Sequence, residues 1–127
     1  MISYGDLPIA MVELYHSGKS ELSPHITDNK GAMGIHTLMA PPRYLLTKLP
    51  EKVRNISMET LITALKFAFS FQEIKCIFTD PHINNFHANI LAKKMGFQFL
   101  KEVQLTEKKA NLFCFEKSAF IDRYQSV

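Results

Sequence analysis

Two early stretches have the apolar, β-type character of strands. "PIAMVELY" (8–15) is one. "AMGIHTLMA" (32–40) is the second, setting Met33, Ile35, Thr37 and Met39 on one face and Gly34, His36, Leu38 and Ala40 on the other. The intervening "HSGKSELSPHITDNKG" carries the Gly, Ser, Pro and Asn of a long turn, and Pro41-Pro42 ends the second strand. From Ser57 the period changes from two to near 3.6. Met58, Leu61, Ile62, Leu65, Ala68 and Phe69 fall on one helical stripe, with Ser57 as its N-cap.

"IKCIFTD" (74–80) has the composition of a buried strand. The helix that follows presents Ala88, Leu91, Ala92 and Met95 on one face, with Asn84 or Asn85 placed to cap it and Gly96 as the left-handed residue that stops it. "FQFLKEVQL" (97–105) and "KANLFCFEK" (109–117) are strands joined by the short "TEKK", so they pair as an antiparallel hairpin. The predicted order is β-β-α-β-α-β-β, a mixed α/β sheet with the helices as crossovers.

Composition adds bounds rather than elements. A chain of 127 residues, 46% hydrophobic and 21% charged, is sized for one soluble domain over 1–127, with no repeat or linker. A net charge of +3 without any block of five like charges argues against a nucleic-acid partner and favours at most a small anion. No apolar run approaches the roughly 18 residues of a membrane span, and the first fifteen residues lack a signal-peptide layout, so a cytoplasmic protein without a membrane partner is expected. Cys76 and Cys114 sit in apolar runs and read as small buried hydrophobes, not as a disulfide.

Four local patterns in register resemble a known family. They are "GIHTLMAPP" (34–42), "NISMETLITAL" (55–65), "DPHINNFHANILAKKMGF" (80–97) and "KEVQLTEKKANLFCFEKSAF" (101–120). Together they resemble the acyl-CoA N-acyltransferase (GNAT) fold. Within it the resemblance is to the siderophore-biosynthesis acyltransferases, of the aerobactin hydroxylysine acetyltransferase and mycobactin lysine acyltransferase type. It runs from about Tyr4 to Phe120 and begins after the point where the family's first strand and first two helices lie.

The resemblance implies transfer of an acyl group from acyl-CoA to a lysine-type amine or N-hydroxylamine, a small-molecule acceptor used in siderophore biosynthesis and iron acquisition. It also implies a cofactor cleft where the parallel strands 32–40 and 74–80 splay apart. His36, within Gly-x-His, and Asp80, immediately before Pro81, match the family's proposed catalytic pair. An imidazole with an ordinary pKa near 6.5 suits a general base, and a carboxylate suits its partner. A core histidine and a turn-closing aspartate are the structural alternatives. Asn84 and Asn85 divide between capping the helix and meeting the pantetheine arm. His82 and His87 have no carboxylate or Cys completing a ligand spacing, so no metal is expected.

The chain departs from the family before its first helix. GNAT enzymes hold pyrophosphate on a glycine-rich loop, where close-approaching backbone N–H groups meet a helix N-terminus. Here "PPRYLLTKLPEKVRNIS" contains no glycine, and Arg43, Lys48, Lys52, Arg54, Asn55 and Ser57 are left as the candidate phosphate-binding groups. A catalytically inactive GNAT-like binding module is the alternative in a different functional class. The exposed edge of a short sheet leaves a homodimer open.

Overall fold

A computed structural model describes residues 2–4, 6–16, 20–26, 30–39 and 56–125. Six strands form one sheet: β1 (Ile2–Tyr4), β2 (Leu7–His16), β3 (Ala32–Met39), β4 (Cys76–Thr79), β5 (Gln98–Gln104) and β6 (Lys109–Glu116). The helices are α1 (Ile56–Phe69), α2 (Phe86–Met95) and the single turn α3 (Lys117–Phe120), which runs on into a π-helical turn at Ile121–Gln125. None of the described helices is long and apolar enough to cross a membrane.

The strands lie in the order β1-β2-β3-β4-β6-β5. Every neighbouring pair is antiparallel except β3 and β4, which are parallel and joined through α1, as a parallel crossover requires. The expected mixed α/β architecture is present, and β1 and α3 are additions to the predicted order.

The helical stripe of α1 packs on the sheet as its spacing demands. Leu61, Ala64, Leu65, Ala68 and Phe69 are buried with Ile35, Ile77, Phe113 and Phe115, and Ala92 and Met95 of α2 join the same core. Phe120 locks α3 onto this cluster, its ring 5.1 Å from Phe69 and 5.5 Å from Phe115. α1 begins at Ile56, so Ser57 lies inside its first turn and is not the N-cap the spacing suggested.

α2 is capped by Asn85, whose side-chain oxygen accepts from the Ala88 N–H at 3.2 Å, and ends at Gly96 with φ 116°. Its final carbonyls are met from the C-terminal turn: Arg123 Nη2 donates to Lys94 O at 2.8 Å and the Tyr124 hydroxyl to Met95 O at 2.5 Å.

The opposite face of the sheet carries a smaller cluster. Leu22 and Ile26, from the segment 20–26, cover Ala32, Phe78, Ala110 and Leu112. The backbone N–H and hydroxyl of Thr106 both donate to Glu21 and tie this segment to the β5–β6 turn. Cys76 and Cys114 are half-buried thiols on the same face. A hydrogen bond with Cys76, added to burial, pushes the Cys114 thiol far above its usual range and keeps it neutral.

Candidate active site

β3 and β4 are paired only from Ala32↔Cys76 to Gly34↔Phe78. Beyond that point β3 stays with β2, pairing as far as Met39, and parts from β4. Thr79 Oγ1 reaches across the opening to the Ile35 carbonyl at 3.4 Å. A cleft of about 470 Å³ occupies the divergence. Ile35, Leu61, Leu91 and Ala92 line it from the helical side, and His36 and Asp80 from the other, so it passes between the strands from one face of the sheet to the other.

Strand alternation brings the two polar residues together. His36 shares a face with Gly34, and Asp80, just past the end of β4, continues the phase of Phe78. His36 Nε2 lies 2.9 Å from Asp80 Oδ1. Asp80 is only 5% exposed, a setting in which a carboxylate needs partners, and it has three. The Tyr15 hydroxyl donates to Oδ1 at 3.2 Å, and Lys108 Nζ lies 3.4 Å from Oδ2 while donating to the Asp80 carbonyl at 2.6 Å.

Burial by itself would raise the Asp80 pKa. The hydrogen bond with His36 and the charge of Lys108 outweigh it, so the carboxyl lies below its ordinary value and is ionised. The bond to Asp80 raises the His36 pKa above 6.5 in spite of the ring's partial burial. Burial first, and the Asp80 charge second, hold the Tyr15 phenol protonated far above its usual range. An ionised carboxylate only accepts, so neutral His36 carries its proton on Nε2 and its lone pair on Nδ1. Nδ1 faces outward, 3.8 Å from Glu13 Oε1.

Two further features hold this arrangement. The Tyr15 ring lies over His36, with centroids 4.7 Å apart, in the space left by the missing side chain of Gly34. Asn89 is buried, donates through Nδ2 to His82 O at 3.0 Å and Asn85 O at 2.7 Å, and accepts from Asn111 Nδ2 at 2.7 Å. Asn111 N–H in turn donates to Pro81 O at 3.0 Å. The turn leaving Asp80 is therefore anchored to both α2 and β6.

Of the residues singled out from the sequence, His36 and Asp80 are in contact, and Asn85 lines the cleft while capping α2. Asn84 is not among the lining residues; its backbone N–H donates to His82 Nδ1 at 3.0 Å. His87 lines the cleft and His82 does not. Arg43, Lys48, Lys52, Arg54 and Asn55 lie outside the described residues, and of Ser57 only the helical backbone is described. Glu13, Tyr15, Asn89 and Lys108 were not anticipated. For Gly34 a signal existed, because an isolated glycine within a strand pattern marks close approach of another group.

The sequence matches the model of the acetyltransferase (GNAT) domain family over residues 1–105. No curated protein matches the chain. Among solved structures, an uncharacterized protein from Bacillus halodurans shares the fold with a TM-score of 0.82 and 24% identity, over 94% of this chain and 58% of that one. Aminoglycoside acetyltransferase AAC(6')-Ib in complex with coenzyme A has a TM-score of 0.76 and 21% identity, over 94% and 65%. An aminoglycoside N(6')acetyltransferase from Legionella pneumophila has a TM-score of 0.67 and 18% identity, over 95% and 63%. The chain thus spans 58% to 65% of the length of these solved structures. With most of its length matched by the family model and its splayed parallel strands in place, the chain belongs to the GNAT acetyltransferase family.

Proposed function

We propose that this domain transfers an acyl group, acetyl or longer, from acyl-CoA to the side-chain nitrogen of a small lysine-type amine or N-hydroxylamine, as in siderophore biosynthesis. The observation that carries the reading is the 2.9 Å contact between His36 and a buried, ionised Asp80 at the point where β3 and β4 part. The siderophore assignment rests on the four sequence patterns that resemble those acyltransferases. Support for acyl-CoA as co-substrate comes from family membership and from AAC(6')-Ib, which was solved with coenzyme A.

The residues present fit a thioester-bearing arm. The cleft is within the usual range for small-molecule sites, and its helical side is apolar. The edge of β3 beyond Gly34, freed from β4, offers backbone groups to the amides of an extended chain. Asn85, which lines the cleft, would meet that arm, and Arg43, Lys48, Arg54, Asn55 and Ser57 would hold the phosphates.

In this reading His36 Nδ1 takes the proton of the attacking nitrogen, while Asp80 fixes the ring and stabilises the imidazolium. The nitrogen bonds to the acyl carbon, the carbon–sulfur bond breaks, and the departing thiolate takes up the proton that His36 gives back, leaving as the thiol and restoring the neutral ring. The glycine-free stretch before α1 favours the second reading, an inactive GNAT-like binding module.

Calorimetric titration with acetyl-CoA separates the two. Binding is expected; its absence at millimolar concentration overturns the enzyme reading. His36→Ala and Asp80→Ala should each lower turnover by about 10²–10⁴-fold while leaving acetyl-CoA affinity within about twofold, the mark of residues acting on the reaction and not on binding.

A further inference from the structure

The lone pair of His36 does not open onto bare solvent. Glu13 stands directly opposite His36 in the β2–β3 ladder, and its Oε1 lies 3.8 Å from His36 Nδ1. Among the described residues, the other charged or titratable groups around the ring are Tyr15 from β2, Asp80 at the end of β4 and Lys108 from the β5–β6 turn. Asp80 is offset by Lys108 and is buried, whereas the Glu13 side chain is 71% exposed. With His36 neutral, the charge that the described residues leave facing outward beside Nδ1 is negative.

The geometry points to Glu13 as the residue that selects the acceptor by charge, seating a protonated primary amine against His36 Nδ1 and giving no such advantage to an uncharged N-hydroxylamine. This deepens the reading above and rests on it, since Glu13 can choose between acceptors only if His36 faces one. The chemistry fits the task. A primary alkylamine is cationic at neutral pH and must lose a proton before it can attack, so it needs both an anion to hold it and a base within reach. An N-hydroxylamine is mostly uncharged at neutral pH and gains little from the anion. Glu13 thereby favours the first of the two acceptor types that the resemblance leaves open.

Binding of Nα-acetyl-lysine methylamide to the full chain, followed through the His36 ring signals by NMR, tests this without requiring turnover. Its Nε-hydroxy derivative and Nα-acetyl-norleucine methylamide are the uncharged controls. The lysine probe is expected to bind more tightly than either control, and Glu13→Gln to weaken it about fivefold, the scale of an exposed ion pair at about 4 Å. Glu13→Gln should leave the controls unchanged, and Glu13→Asp should restore most of the preference.

Equal binding of the lysine probe to wild type and Glu13→Gln, equal affinity for all three probes, or no binding of the lysine probe overturns the proposal. Thiol release from acetyl-CoA, measured separately with the lysine probe, reports on the enzyme reading. Charge-selective binding without thiol release would count against acyl transfer and not against the charge selection, whereas thiol release unaffected by Glu13→Gln would do the reverse.

Discussion

Gly34 and Tyr15 face each other in the β2–β3 ladder, and the phenol ring occupies the volume that a side chain on Gly34 would need. A Cβ at Gly34 would fall 2.0 Å from Tyr15 Cζ. Close approach, not backbone conformation, demands glycine here, since among the described residues the positive-φ glycines are Gly31 and Gly96. Gly34→Ala must therefore push the ring off His36 and draw its hydroxyl from Asp80. The expected cost is about 1–3 kcal/mol in urea unfolding. Tyr15→Phe, which keeps the ring, should cost about 1 kcal/mol. If Gly34→Ala costs as much in a Tyr15→Ala background as in wild type, the ring is not what requires the glycine.

His36 should titrate above 6.5, because its bond to Asp80 favours the imidazolium more than burial disfavours it. As a base it must be neutral, so kcat/KM should rise with pH along a limb whose midpoint lies above 6.5. The stability linkage has the opposite direction. A raised folded-state pKa gives a contribution that is complete below the unfolded value and is lost as pH rises through the folded one. The stability gap between wild type and His36→Gln should therefore be largest below pH 6.5 and shrink as pH rises through the raised folded-state value. A constant gap would mean that the Asp80 bond does not depend on the imidazolium.

Lys108 opposes Asp80 in that titration. Its charge lowers the pKa of both Asp80 and His36. Lys108→Met should raise the His36 midpoint, read from the ring-proton shifts, whereas Asp80→Asn should lower it. Losing the Nζ bond to the Asp80 carbonyl should also cost about 1–2 kcal/mol of stability. An unmoved midpoint would mean that Lys108 is only a structural tether.

Asn89 joins α2 to the turn after Asp80. Asn89→Leu fills the space but strands the Asn111 amide and leaves the His82 carbonyl with the Asn85 N–H alone, at an expected cost of about 1–3 kcal/mol. A double-mutant cycle with Asn111→Ala should show coupling of at least about 0.5 kcal/mol. Strict additivity would remove the proposed tie between the two amides.

The elements legible in the sequence were those with local causes. The stripe of α1, the Asn85 cap and the Gly96 stop each act within a turn or two of chain, and the β5–β6 hairpin follows from a short connection. β1 was missed because three residues hold no usable period, and α3 because Phe120 and Tyr124 make it through contacts with Phe69, Phe115 and Met95.

In the site, His36 and Asp80 were found through resemblance. The partners of Asp80 were invisible because Tyr15 and Lys108 lie 65 and 28 residues away, and their arrival depends on strand order. Lys108 within "TEKK" looks like any solvated turn lysine until β6 is placed beside β4.

That placement has a consequence for how the site comes into being. β6 lies between β4 and β5, so the strand leading to Asp80 acquires its second neighbour only from residues 109–116. During synthesis β3 and β4 can pair, yet the Lys108 clamp and the Asn111 anchor must wait for residues 108–116 to emerge. Pairing over such sequence distances is the slow part of building a sheet. The half-made edge of β4 is therefore the surface that a nascent or truncated chain would leave open to aggregation.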